Sequence, residues 1–193
     1  MLENLKKYRL VLASNSPRRR ELLAGLGLDF EVRVLHNVDE SYPSTLPVEE
    51  IAGYISAKKA AAYRQTMATD ELLVTADTVV VCGNEVMGKP QDAADARRML
   101  RRLSGRSHQV VTGVCLTTQE VQRSFSVTTE VSFKELSEEE IFYYVERYQP
   151  MDKAGAYGIQ EWIGYIGCTG LKGSYYNVMG LPVQRIYQEL LLM

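Results

Sequence analysis

The chain has 193 residues, 46% of them hydrophobic, which is enough to bury a core and fits the size of one domain. Its 22 Lys and Arg against 24 Asp and Glu leave a formal net charge of −2, without the basic excess that general nucleic-acid binding demands. Its three cysteines show no CxxC pairing, which indicates a reducing cytoplasm rather than a secreted disulfide framework.

No segment has the composition of a targeting or membrane sequence. Residues 1–10 lack an uninterrupted apolar stretch, and nowhere do about 18 apolar residues run together. We therefore expect a cytoplasmic protein with neither a membrane nor a nucleic acid as partner.

The first elements predict a strand, a helix and a second strand. Residues 10–13 are a short buried strand, and Ser16 followed by Pro17 is a helix N-cap signal, with the helix running to about Leu26. Residues 30–35 alternate like a half-buried strand and lead into the loop 37–41. A second helix starts at Pro47, with one apolar stripe that carries Lys59 but not Lys58. That stripe comprises Val48, Ile51, Ala52, Ile55 and Ala62.

The middle of the chain predicts a central strand, a helix and a strand pair. Residues 72–82 are the most hydrophobic stretch and are interrupted only by Asp77. A helix over 92–103 should bury Ala96, Met99, Leu100 and Leu103 and expose its arginines, Arg97, Arg98, Arg101 and Arg102. Residues 110–117 and 121–133 are rich in β-branched side chains and predict an antiparallel pair, hence a mixed sheet.

The last third predicts two helices separated by turns. Ser137 opens a capping box, and the helix that follows should end before Pro150. We expect it to turn Ile141, Phe142 and Val145 inward. Residues 152–173 are rich in glycine and predict turns and short strands. A final helix from Pro182 should pack through Val183, Ile186, Leu190 and Tyr187.

Arginines cluster where the first strand meets the first helix, in the segment 14–20, which begins at Ser14 and includes Arg18 and Arg19. Cations in a first helical turn oppose the helix dipole, whereas free N–H groups and guanidinium groups there suit an anion such as phosphate. The alternative is a solvated basic turn.

Asp77 is the sharper signal, because an unpaired carboxylate in an apolar strand costs several kcal/mol. Either the strand ends early and Asp77 caps a turn, or Asp77 binds Mg²⁺ or accepts a proton from water. The loop pair Asp39 and Glu40 could add a second carboxylate for the metal, or could simply be solvated.

Three further side chains could face a nucleotide. Lys59 on its apolar stripe must either extend outward or meet an anion, and Lys89, in a tight loop, could reach the same phosphates. Gln160 ends the glycine-containing segment 152–160 and offers the donor and acceptor that reading a pyrimidine edge requires. His36 and His108 lack metal-ligand spacing, so neither is expected to bind zinc.

Taken together, these segments resemble the Maf family over nearly the whole chain, in the family's order. The matching stretches are residues 13–19, 21–23, 39–40, 59–60, 76–79, 88–90, 112–113, 152–160, 173–175 and 180–182. The resemblance implies one domain over residues 1–193 with an α/β fold. A long mixed sheet is flanked by helices, and two lobes enclose a central cleft, as in inosine triphosphate pyrophosphatases. Thr75 departs from the family, which commonly has glycine or alanine there.

Carried over by position, the resemblance makes Asp77 the proton acceptor and a metal ligand together with Glu40. The same comparison implies phosphate binding by Ser14, Arg19, Lys59 and Lys89. The segment 152–160 resembles the branch that acts on dTTP and UTP, in which Arg18, Thr78 and Gln160 determine specificity.

The implied activity is housecleaning hydrolysis of dTTP, UTP and modified pyrimidine nucleotides to the monophosphate and pyrophosphate. It would use Mg²⁺ or Mn²⁺, and a homodimer is expected from the family alone. The alternative is a non-hydrolysing, nucleotide-binding regulator of cell division. Binding alone does not need Asp77, which argues for hydrolysis.

Overall fold

The computed structural model describes residues 2–35 and 38–193, so the predictions for His36 and Asn37 lie outside the described residues. Seven strands are assigned: β1 Arg9–Leu12, β2 Glu31–Val32, β3 Glu71–Cys82, β4 Glu85–Met87, β5 Ser107–Thr117, β6 Gln122–Phe133 and β7 Cys168–Lys172. The α-helices are α1 Pro17–Ala24, α2 Ile51–Arg64, α3 Ala93–Leu103, α4 Glu138–Tyr148, α5 Trp162–Gly167, α6 Tyr175–Met179 and α7 Val183–Leu190. Glu3–Lys7 and Ala154–Ala156 form short 3₁₀ turns.

The seven strands form one sheet in the order β2-β1-β3-β5-β6-β7, with β4 paired to β3. Strand β1 pairs in parallel with β2 and β3, whereas β3–β4 and β6–β7 are antiparallel. Side-chain contacts of Cys115 with Ser124 and of Ser107 with Ser132 show that β5 and β6 are also antiparallel. The predicted long mixed sheet with helices is confirmed, and the cleft between two lobes stays a prediction.

The chain divides into two compact units. The first contains Met1–Asp77, Thr112–Val127 and Gly180–Met193, and the second contains Thr78–Val111 and Thr128–Met179. The first unit has a core cluster of Val11, Ala13, Tyr63, Met67 and Leu73. In the second, the buried face of α3 uses Ala96, Met99, Leu100 and Leu103, as its spacing predicts.

Two capping predictions are confirmed. The Ser16 side chain accepts a hydrogen bond from the Arg19 backbone N–H at the start of α1, with Pro17 as the first helical residue. The Ser137 and Glu140 side chains form the complete capping box of α4. Local sequence signals therefore set the start of both helices.

Two strand and helix predictions were wrong in extent. The strand predicted over residues 30–35 contains only Glu31–Val32, because its partner β1 ends at Leu12. The helix predicted from Pro47 begins at Ile51, and its buried face includes Ser56, Ala60 and Tyr63, whereas Val48 and Ala62 are only partly buried.

Three predictions for the last third of the chain also need correction. Phe142 is 56% exposed under the guanidinium of Arg97, and Tyr144 takes the buried position instead. Residues 152–173 include the helix α5 rather than only turns and strands. Its Gly164 is required by packing, since a Cβ there would lie 1.9 Å from the Ile159 carbonyl oxygen.

In α7, which was expected to pack through Tyr187, Glu189 is buried and Tyr187 is only partly buried.

Candidate active site

Strand β3 runs unbroken through Asp77, so the strand does not end early and Asp77 does not cap a turn. Its side chain is 14% exposed, and Oδ1 accepts a hydrogen bond from Lys59 Nζ at 2.7 Å. The charge of a mid-strand carboxylate is thus balanced by a lysine from α2, as a buried charge requires.

Lys59 meets anions instead of extending into solvent. Its ammonium is 13% exposed and also contacts Glu40 Oε1 at 2.9 Å, so both carboxylates lie within reach of one nitrogen atom. The neighbouring pair is separate: Lys58 binds Asp39 Oδ2 at 2.7 Å, at an exposed position. Of the two predicted loop carboxylates, only Glu40 joins the Asp77 cluster through Lys59.

The arginines at the start of α1 have different environments. Arg19 donates from Nε to the Gly180 carbonyl at 2.8 Å and from Nη1 to the Ala76 carbonyl at 2.7 Å. Burial lowers the pKa of Arg19, and the nearby charge of Asp77 opposes that shift. Arg20 instead binds the Asn15 side chain at an exposed position. The guanidinium of Arg19 is therefore anchored on the backbone next to Asp77.

Ser14 and Arg18 complete the predicted set in the first unit. Ser14 is 8% exposed, and its Oγ accepts from the Ser16 N–H at 3.2 Å, which leaves the hydroxyl a hydrogen to donate. Arg18 is half-buried, and its charge acts on Arg19. Ser14, Arg19, Lys59, Glu40 and Asp77 thus bring oxygen ligands and cations into one unit.

The second unit holds Thr78, Lys89 and Gln160. Thr78 follows Asp77 in β3 and is half-buried, and Lys89 is exposed after β4. The Oε1 atom of Gln160 is buried and has no hydrogen-bond partner among residues 2–35 and 38–193. A buried amide oxygen without a partner is rare, and it suits a ligand that donates an N–H.

A network around Gln160 was missed by sequence reasoning. Lys153, 8% exposed, binds Asp152 Oδ1 at 2.7 Å and Glu161 Oε1 at 3.1 Å. The Tyr144 hydroxyl donates to Glu161 Oε2 and accepts from the Gly158 N–H at 3.0 Å. The sequence signal that could have revealed this network was Lys153, a charged residue within a glycine-rich segment. These bonds hold the backbone on both sides of Gln160.

The donor set suits a divalent cation that arrives with a nucleotide. Within the described ranges, no three His, Cys, Asp or Glu side chains come together as a metal site. Asp77 and Glu40 are two carboxylates beside one lysine, and Mg²⁺ is commonly held by one or two carboxylates together with substrate phosphates and water. The two residues therefore fit a shared cation rather than a closed protein cage.

The mixed sheet and this cluster of carboxylates and cations define an α/β protein equipped for phosphate chemistry. Residues 9–193 match the family described as "Maf-like protein", and the chain belongs to that family. It is 65% identical over 98% of both chains to a Phocaeicola vulgatus protein named dTTP/UTP pyrophosphatase. A Bacteroides thetaiotaomicron protein of the same name is 62% identical, also over 98% of both.

A solved structure described as a HAM1 protein from Coxiella burnetii shares the fold. The TM-score is 0.50 at 16% identity, and the match covers 96% of this chain and 100% of the other. In the part of the chain that the structure describes, no helix has the length and apolar character to cross a membrane.

Proposed function

We propose that this protein hydrolyses nucleoside triphosphates, dTTP and UTP foremost, to the monophosphate and pyrophosphate. The observation that carries the proposal is the 65% identity over 98% of both chains with a relative named dTTP/UTP pyrophosphatase. The non-hydrolysing regulator is not favoured, because the relatives are named as pyrophosphatases and Asp77 is present with its lysine partner.

In the proposed reaction, water attacks the α-phosphorus and passes a proton to the Asp77 carboxylate. The bond from the α-phosphorus to the bridging oxygen breaks, and pyrophosphate leaves. Neutralising the charge on the phosphates is the main demand of such a transfer, and Lys59, Arg19 and Lys89 meet it. Ser14 donates a hydrogen bond to a phosphate oxygen. A Mg²⁺ or Mn²⁺ ion on Asp77 and Glu40 would, when bound, withdraw further charge from the phosphates.

Base selection is assigned to Arg18, Thr78 and Gln160. Uracil and thymine present an N3–H donor, which the buried Oε1 of Gln160 can accept, whereas cytosine presents an acceptor at N3. Modified pyrimidines that keep this N–H belong to the same substrate class. We place the activity in the cytoplasm with the nucleotide pool, and the homodimer stays an expectation for sedimentation to test.

The test is pyrophosphate release from dTTP, UTP, CTP, ATP, GTP and 7-methyl-GTP with Mg²⁺ or Mn²⁺, comparing wild type with Asp77→Asn. We expect turnover of dTTP and UTP, and loss of about 10³-fold in the variant with nucleotide binding retained. Retained turnover in Asp77→Asn would remove Asp77 from the role. Binding without release by wild type would favour the regulator.

A further inference from the structure

Helix α2 lies unusually close to strand β5. A Cβ placed on Gly113 would be 2.3 Å from the Gly53 nitrogen and 2.4 Å from the Ala52 carbonyl carbon, which no side chain could tolerate. Ala52 is fully buried at this contact. The glycine at position 113 therefore sets how near the helix backbone lies to the sheet.

One turn further along α2, a pair of buried hydroxyls joins the helix to strand β3. Ser56 and Thr75 are both 0% exposed. Thr75 Oγ1 donates to the Ser56 carbonyl at 2.9 Å, Ser56 Oγ donates to the Thr75 carbonyl at 3.1 Å, and the two oxygens are 3.2 Å apart. Each hydroxyl thus binds the other residue's backbone, which fixes the register of helix against strand.

The hydroxyl pair is in register with the ion pair of the site. Lys59 follows Ser56 by three residues, about one helical turn, and Asp77 follows Thr75 by two residues, on the same face of the strand. Lys59 Nζ then meets Asp77 Oδ1 at 2.7 Å. The same helix and strand therefore carry both the hydroxyl pair and the ion pair.

We propose that Ser56 and Thr75 are positioning residues that hold Lys59 at its distance from Asp77. The close contact at Gly113 sets the distance between α2 and the sheet, and the hydroxyl pair sets the position of α2 along β3. This inference rests on the proposed function, in which Asp77 accepts the proton. A glycine or alanine at position 75 has no hydroxyl and could not form the pair, so this positioning depends on the threonine of this chain.

The test compares Thr75→Val, Ser56→Ala, the double variant and Thr75→Ser, with steady-state dTTP hydrolysis and thermal midpoints for each. Small displacements of catalytic groups are costly, so we expect kcat to fall about tenfold in Thr75→Val with KM nearly unchanged. Thr75→Ser should recover most of the loss. The double variant should be no slower than the slower single variant, because the two hydroxyls act as one unit.

Thr117→Val is the matched control. Thr117 is a fully buried threonine on β5 whose hydroxyl has no hydrogen-bond partner among the described residues, so kcat should stay at the wild-type value. A Thr75→Val protein with a lowered thermal midpoint but wild-type kcat would overturn the inference, leaving only a structural role. If Thr75→Val does not fold, Ser56→Ala decides by the same criteria. A wild type that hydrolyses no nucleotide would overturn the proposed function and this inference together.

Discussion

Strand β3 carries one carboxylate at its first residue, Glu71, and another in its middle, Asp77, and the two are held differently. Glu71 is 2% exposed and accepts from Arg33 Nη1 at 2.9 Å, from the Ala68 N–H at 3.1 Å and from Arg9 Nη2 at 3.4 Å. Asp77 keeps 14% of its side chain exposed and shares Lys59 with Glu40.

The difference separates a carboxylate held by arginines from the one that we propose accepts the proton. Arginine binds a carboxylate with two fixed donors, so Glu71 is satisfied by geometry that leaves little room for another ligand. Lysine is a flexible point charge that can exchange one anion for another, so the bond between Lys59 and Asp77 can yield to a phosphate. The kind of partner therefore distinguishes Glu71 from the proposed proton acceptor more clearly than burial does.

The largest expected effect is on stability, and it falls on Glu71. Glu71→Gln should lower the free energy of unfolding by about 3 kcal/mol, since the buried Glu71 side chain loses its charge-assisted hydrogen bonds to Arg33 and Arg9. Asp77→Asn should cost less than about 1 kcal/mol, because Lys59 keeps Glu40. Denaturant titration measures both, and equal losses would break the contrast. Glu31→Gln, at an exposed ion pair with Arg9, is the control.

The next effect is on turnover and uses two adjacent lysines. Lys59→Met should lower kcat/KM for dTTP about 100-fold, because charge on the phosphates is no longer neutralised. Lys58→Met, which loses the exposed contacts with Asp39 and Ser41, should stay within about twofold of wild type. Similar activity in the two variants would show that the Lys59 contact with Asp77 has no part in turnover.

Acid should weaken Glu71's contribution in a defined pH range. Hydrogen bonds from Arg33 lower the pKa of Glu71 below its ordinary value of 4.5. Its stabilisation is therefore complete above that value and is lost as pH falls through the lower folded pKa. Chemical denaturation between pH 3 and 7 should show a shallower acid loss in Glu71→Gln than in wild type. An identical slope in the two proteins would argue against this linkage.

His108 contributes to the same acid range and must be separated from Glu71. Burial lowers its pKa to about 4 from 6.5, so its contribution is present above 6.5 and is lost as pH falls toward 4. Its Nε2 lies 2.8 Å from the Tyr157 hydroxyl. The His108→Gln protein should lose less stability across that window, and an unchanged window would contradict the assignment.

The smallest effect concerns base choice. Gln160→Glu keeps an acceptor for the N3–H of uracil or thymine but removes the amide donor that could bind their O4 carbonyl. Cytosine carries an amine at that position, which a carboxylate can accept, so kcat/KM for dTTP and UTP should fall about tenfold relative to CTP. Gln188→Glu, on the exposed face of α7, should leave the ranking of nucleotides unchanged. A Gln160→Glu protein with the wild-type ranking would show that Gln160 does not read the base.

Sequence alone determined the features that depend on neighbouring residues. The apolar run that became β3, the caps at Ser16 and Ser137 and the inner face of α3 are set by local periodicity and capping chemistry. The singular position of Asp77 was also visible, because an acid within an apolar strand stands out without any knowledge of its partner.

Tertiary structure alone decided which polar groups meet. Adjacent acids divide between Lys58 and Lys59, and Tyr144 rather than Phe142 is buried because Glu161 and Gly158 lie within reach of its hydroxyl. The Ser56–Thr75 pair joins residues 19 apart in the chain. Such contacts depend on the packing of distant segments, and a local pattern carries no information about what will lie opposite a side chain.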